Sequence, residues 1–307
     1  MFLLVIQKTL FLFILISIGI LLKRFHLISE NTIKELSKII IYVFSPALIL
    51  HALLKEFSPA LFKTAYILPL FGILTISLGF FLGSLLAALI KTEPQLKSTF
   101  IYLNTMNNYG FYALSLTYTF YGSRGVILLA IHNMGCTLLY WSLGLWILNK
   151  NQPQKKYVSL FNPSLIALIA GILLGLSPIK DTIPSLIIES LDALGKITIP
   201  LIMIIVGSLL AETKLLSKIK KKEIIWLCLN RLIIIPTIML TLLTFLNLPL
   251  ILKNIVLIVA VMPSASSTPI LVKEFGGDIT FSISGVFFTT LFSLLTVPIF
   301  LALFLKL

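Results

Sequence analysis

Two short polar stretches interrupt an otherwise apolar chain, "NTMNNYG" at 104–110 and "MPSASS" at 262–267. Amide and hydroxyl side chains donate and accept hydrogen bonds without making or breaking covalent bonds. Asn104, Asn107, Asn108, Ser264, Ser266 and Ser267 therefore suit the binding of a polar solute, while Gly110 relaxes the backbone and Pro263 removes a donor from it. The competing reading is that such residues only join helices by hydrogen bonds, and it suits Asn104 best. The ionisable groups in or near apolar segments are Lys8, His51, His132, Lys196 and Arg231. His132, beside Asn133, is a candidate for proton coupling, because imidazole titrates near neutral pH, though a lone histidine also serves as a hydrogen-bonded packing group. Arg231 lies about 10 Å deep in its segment at the helical rise, where it either snorkels to the surface or attracts anions from the cytosol. Lys8 and Lys196, near segment ends, are expected to snorkel.

What is missing matters equally. All 11 acidic residues fall in loops or at segment ends, so a buried carboxylate proton relay has no carrier. His26, His51 and His132 lie far apart, and no H-E-x-x-H or G-x-S-x-G motif occurs, so neither an enzyme nor a metal or other cofactor is expected. Cys136 and Cys228 read as small packing residues inside apolar segments.

The elements that would position these side chains are membrane helices. Of the 307 residues, 58% are hydrophobic and 11% charged, and mean hydropathy is +1.08. Soluble domains carry about 25% charged residues. Apolar runs near the 20 or so residues that cross a bilayer recur along the chain, at 4–22, 34–54, 64–90, 98–121, 125–148, 163–179, 187–211, 224–246, 254–272 and 280–305. The fold expected is an all-α integral membrane protein of ten helices. Long unalternating runs exclude a membrane β-barrel. The first run could pass for a signal peptide, but Lys23 and Arg24 follow it and no small-residue cleavage site does, so it reads as a span.

Positive charge orients these spans. With both termini outside, inner loops hold 15 lysines and arginines and outer loops 7, which sets the expected topology in a cytoplasmic (inner) membrane. The net charge of +13 is mainly this orientation signal, and "KIKKKE" at 218–223 reads as a solvated loop, not a nucleic-acid surface.

The chain also repeats itself. Pro46 and Pro200 stand 154 residues apart, Met106 and Met262 156, and Gly122 and Gly277 155. Five spans per copy is an odd number, so the second copy enters from the opposite side, as an inverted repeat. The expected units are 1–148 and 163–307, joined by a polar cytoplasmic linker at 149–162. Non-helical backbone is tolerated at membrane depth only beside protein or a water-filled cavity, so broken spans four and nine, at matching places, should cross at a binding site. Their half-helix amino termini favour an anion.

The segments "NYGFYALSLTYTFYG" (108–122), "MPSASS" (262–267) and "HNMGCTLLYWSLG" (132–144) resemble the auxin efflux carrier family, end to end along the chain. Asn108, Gly110, Phe111, Asn133, Pro263 and Ala265 match its pattern, whereas Ala113, Ser115 and Ser267 stand where the family commonly has glycine, proline and asparagine. With a serine at 115 the first break is expected to rest on Gly110 and the asparagines. The resemblance implies ten helices in a sodium/proton-antiporter-like and bile-acid-symporter-like arrangement, with spans 1, 2, 6 and 7 as a scaffold and the remainder as a transport domain. It implies elevator-like carriage of organic anions, either dicarboxylates or monocarboxylates. Expected partners are that anion and the lipid bilayer, with a homodimer open as an assembly. A sodium-coupled symporter and a non-transporting receptor are the alternatives.

Overall fold

The computed structural model describes residues 2–56, 58–149, 163–211 and 221–304, and among them the chain is helical, with no strand. Most of the expected linker, 150–162, lies outside the described residues, as do the lysines of the loop at 212–220. The helices are α1 (Phe2–Arg24), α2 (Glu30–Ile39), α3 (Ser45–Glu56), α4 (Pro59–Ala65), α5 (Leu68–Leu89), α6 (Pro94–Thr105), α7 (Tyr112–Leu139) and α8 (Leu145–Asn149) in the first part. The second part holds α9 (Pro163–Leu176), α10 (Ser185–Leu210), α11 (Lys221–Leu229), α12 (Ile235–Phe245), α13 (Leu250–Ala260), α14 (Thr268–Phe275) and α15 (Ile279–Phe304).

Six continuous helical stretches are long and apolar enough to cross a membrane: Glu30–Glu56, Pro59–Leu89, Tyr112–Leu148, Ser185–Leu210, Lys221–Phe245 and Ile279–Ala302. α9 and α13 are shorter and equally apolar. The third stretch is divided at Gly122, whose φ of 57° is open to glycine without strain. The chain is thus a multi-pass membrane protein. Outward residues such as Phe81, Leu89, Leu173 and Leu295 leave large apolar surfaces uncovered, as lipid contact requires.

Wide π-turns join α2 to α3 (Ile40–Phe44), α7 to α8 (Tyr140–Gly144) and α11 to α12 (Asn230–Ile234). Two have an evident cause, because Pro46 and Pro236 follow them at the same distance. A proline clashes with the carbonyl four residues back, and the wider turn moves that carbonyl away. The bonds Ser45 N–H to Ile40 O and Ile235 N–H to Asn230 O close these turns.

Packing divides the helices into two kinds of contact. α1 lies along α10, and α3 lies along α9 and α10. Small residues allow these approaches. A Cβ at Gly19 would strike the Ile204 carbonyl, one at Gly207 the Ile16 carbonyl, and one at Gly171 the Leu53 side chain. At the end of the α3–α10 contact, His51 Nδ1 stands 3.6 Å from Asp192, which also pairs with Lys196. Lys196 is exposed in that pair, although it sits near the middle of the 26-residue α10 and not near an end, contrary to expectation. α5 instead packs on α6 and α7 through Gly72, Gly79 and Gly83.

Candidate functional site

The two polar stretches each interrupt a helix, and they meet. α6 stops at Thr105 and α7 begins at Tyr112; α13 stops at Ala260 and α14 begins at Thr268. Between them Asn107 and Ser264 face each other as an antiparallel bridge. Asn108 N–H donates to Pro263 O at 2.8 Å and Ala265 N–H to Met106 O at 2.9 Å. Backbone groups that a continuous helix would satisfy are satisfied here across the bridge.

The ends of α6 and α13 are capped reciprocally. The Asn107 amide donates to Val259 O at 3.1 Å, in the last turn of α13, and the Ser264 hydroxyl donates to Leu103 O at 2.8 Å, in the last turn of α6. Thr289 of α15 supplies the acceptor for Ser264 N–H at 3.3 Å. Three further carbonyls at or just after these ends go to one side chain. Arg231 donates from Nε to Met262 O (2.9 Å), from Nη1 to Asn104 O (3.2 Å) and from Nη2 to Ala260 O (3.2 Å). It is fully buried. Asn230 beside it donates to Asn104 Oδ1 at 2.7 Å, and the Asn104 amide donates to Phe100 O at 2.8 Å.

The opposite ends, the starts of α7 and α14, open on a cavity of about 800 Å³. Its polar lining near the breaks includes Asn107, Asn108, Asn133, Tyr140, Ser266 and Ser267, and its apolar lining includes Phe111, Leu114, Trp141, Ile270 and Phe287. Asn108 is the cap of α7: its Oδ1 accepts from Phe111 and Tyr112 N–H, both at 3.3 Å, and its Nδ2 donates to Ser266 at 2.6 Å. Ser115 makes the helical bond that a proline would forfeit, Ser115 N–H to Phe111 O at 3.1 Å. The Asn133 amide reaches Tyr109 O at 3.3 Å, and the Tyr140 and Ser267 hydroxyls share a bond of 2.7 Å. Asn107 Oδ1 is buried and without a partner. The cavity runs to Glu30, Lys34, Pro163 and Ser164, and among the described residues the first two are its only charged lining, at its mouth.

Placement corrects several expectations. Asn107, Asn108, Gly110, Asn133, Ser266 and Ser267 line the cavity, but Asn104, Pro263 and Ser264 do not. Asn104 turns back along its own helix, donating to Phe100 O and accepting from Asn230, whereas Ser264 turns to the end of α6, where the Leu103 carbonyl draws its donor. Arg231 neither snorkels nor faces the cytosol, because three main-chain carbonyls hold its guanidinium inside. His132 also lies off the cavity, buried with Nδ1 at 3.4 Å from Asn133 Oδ1 and 3.7 Å from Cys136 Sγ. Direct anion binding by bare N–H groups is also reduced at α7, since Asn108 already occupies two of them. Tyr140, Asn230 and Thr289 went unnoticed in the sequence; the adjacent pair "NR" at 230–231 inside an apolar run was the available sign of one of them.

A family model for "Membrane transport protein" matches residues 4–301. The chain belongs to that family. It is the family that the motifs at 108–122 and 262–267 resemble, and the match spans almost the whole membrane protein. Among its relatives, an uncharacterised transporter of Methanocaldococcus jannaschii is 26% identical over 295 residues, covering 93% of this chain and 94% of that protein. Another uncharacterised transporter, from Methanothermobacter thermautotrophicus, is 23% identical over 296 residues, covering 95% and 96%. A cavity between two interrupted helices suits a chain of this transport family.

Proposed function

We propose that this member of the membrane transport protein family carries a small organic anion across the cytoplasmic membrane by alternating access, binding it without covalent chemistry. The observation that carries this reading is the electrostatic imbalance at the breaks. Each helix end bears roughly half an elementary charge. The negative ends of α6 and α13 are compensated by Arg231, whereas the positive ends of α7 and α14 face a cavity whose only acid among the described residues, Glu30, is at the mouth. Their sum, about one positive charge, suits a carboxylate. Asn107 Oδ1, Asn108, Asn133, Ser266, Ser267 and Tyr140 then supply the polar contacts.

In this proposal the chain is a ten-helix inverted repeat whose broken fourth and ninth spans cross at the bridge. The two bridging bonds exchange under a two-fold axis, since 108 to 263 becomes 265 to 106; the caps 107 to 259 and 264 to 103 exchange to within about one residue. The pairing of α1 with α10 and of α9 with α3 exchanges in the same way. The first two spans of each repeat form the scaffold and the last three the moving part. Since the charge count puts Lys34 in the cytosol, the cavity opens inward. A smaller hollow of about 460 Å³, lined by Glu56, Ser58, Arg124 and Pro249, lies at the other end of the α2–α3 stretch, where an outward path would form.

The test is solid-supported-membrane current recording on proteoliposomes, stepping through malate, malonate, lactate, an aromatic acid and a neutral amino acid. Charge movement with at least one acid and none with the amino acid is expected. Silence with every acid, while thermal shift detects their binding, leaves a receptor or a strictly electroneutral carrier, which uptake of a radiolabelled acid tells apart.

A further inference from the structure

We propose that the Arg231 guanidinium is a tethered cation in the seat that a coupling ion takes in carriers with broken helices, so that transport proceeds without sodium. The inference rests on the transport reading above and specifies its ion coupling. In discontinuous membrane helices, unwound carbonyls and the negative half-helix ends coordinate sodium or protons. Here the corresponding oxygens are Asn104 O at the end of α6, Ala260 O at the end of α13, and Met262 O in the unwound segment after it. All three accept from Arg231, at 2.9–3.2 Å.

The charge also matches. Two helix carboxyl ends sum to about one negative charge, which one guanidinium neutralises. No carboxylate pairs with Arg231 among the described residues, so these dipole ends are what compensates a fully buried cation. Planar geometry lets one side chain serve carbonyls from two helices at once. It arrives on the π-turn Asn230–Ile234, which Pro236 imposes. Its counterpart in the first repeat, at a shift of 155, is Ile76, so a single cation serves both breaks. An exchangeable ion leaves an empty seat during part of a cycle, but a covalently attached one does not. The break thus keeps the same charge whether or not substrate is bound.

The experiment is thermal unfolding of the purified, detergent-solubilised protein in sodium, potassium or choline chloride at equal ionic strength, without substrate. Wild-type protein is expected to melt within about 1 °C in all three, because a ligand that does not bind the native state leaves Tm unchanged. Arg231→Ala is expected to melt about 5 °C lower or more, and to regain about half of that loss on adding about 20 mM guanidinium or sodium, which now enter the vacated seat. Arg231→Lys, which keeps a cation, is expected to lose less and to stay indifferent to sodium. Sodium-selective stabilisation of the wild type overturns the proposal. So does an Arg231→Ala protein that melts like wild type, or one that is destabilised and responds to neither cation. If Arg231→Ala yields no folded protein, the wild-type comparison and Arg231→Lys decide alone, a sodium-dependent Tm in either being fatal. None of these readouts uses a substrate, so an error in the organic-anion reading leaves them intact, and a sodium-sensitive wild type leaves anion transport standing.

Discussion

The contact of α1 with α10 and the contact of the two breaks are both places where backbones come unusually close, yet they are held by opposite means. Along α1 and α10 the helices run unbroken and approach through glycines, Gly19 against Ile204 and Gly207 against Ile16, with one side-chain bond among the described residues, Ser208 to Gly19 O at 3.1 Å. At the breaks the helices stop, and hydrogen bonds from Asn107, Ser264, Arg231 and the bridge take over. Proline alone does not decide which outcome follows. α10 continues through Pro200, while α13 stops before Pro263. A helix interrupts stably where partners wait for its carbonyls, and the donors at the breaks are those partners. The first contact resists change in shape, the second change in polarity.

The sharpest way to break that contrast is to add volume to the first contact. Gly207→Val places a Cβ on the Ile16 carbonyl, a backbone atom that cannot rotate aside. Overpacking of this kind costs about 3 kcal/mol, near the upper end of its usual range. Purified Gly207→Val protein is expected to show a sharply lower Tm or a loss of monodisperse material. At the break, by contrast, Gly110 has open space around an added Cβ, so Gly110→Ala should melt within about 1 °C of wild type, as a surface change does. Equal effects at the two glycines would erase the distinction.

How much of this was legible in the sequence differs between the two regions for the same physical reason. The breaks announced themselves, because asparagine, glycine and proline are costly at membrane depth and stand out among leucines and isoleucines. Their partners did not. Asn104 and Asn108 are the same residue type four positions apart, yet one bonds back along α6 and to Asn230 while the other caps α7 and lines the cavity, and the difference lies in which way the chain turns at Met106. Arg231 bonds main-chain oxygens 29, 31 and 127 residues away, and a carbonyl acceptor has no sequence signature. The π-turns were equally silent, although Pro46 and Pro236 each marked one in retrospect. Gly19 and Gly207 read as ordinary apolar-helix glycines until the structure put a carbonyl against each.

A change of polarity without volume tests the second region. Asn108→Asp keeps an oxygen to cap α7 and nearly the same shape, but it puts a negative charge where two helix dipoles favour an anion. Aspartate caps about as well as asparagine, whereas alanine costs about 1 kcal/mol. Asn108→Asp is therefore expected to melt near wild type and to lose organic-anion current by about tenfold or more, the equivalent of about 1.4 kcal/mol. Asn108→Ala should reverse the ranking, with the lower Tm and the larger remaining current. If both variants keep full current for an acid that the wild type carries, Asn108 is a cap and nothing more.

The smallest effect belongs to a bond that touches both the lining and a helix start. Tyr140→Phe removes the hydroxyl that shares a 2.7 Å bond with Ser267, leaving the ring in its edge contacts with Tyr109 and Trp141. Side-chain hydrogen bonds inside membrane bundles average about 0.6 kcal/mol, so Tm should move by only about 1–2 °C. The freed Ser267 hydroxyl still faces the cavity, and half-saturation for a transported acid is expected to change about threefold, in proportion to that same energy. A shift of that size in half-saturation with unchanged Tm assigns the hydroxyl pair to the solute. A shift in Tm alone makes Tyr140 a fastener of α14, in which case the polar side chains at this helix start serve the break and not the cavity.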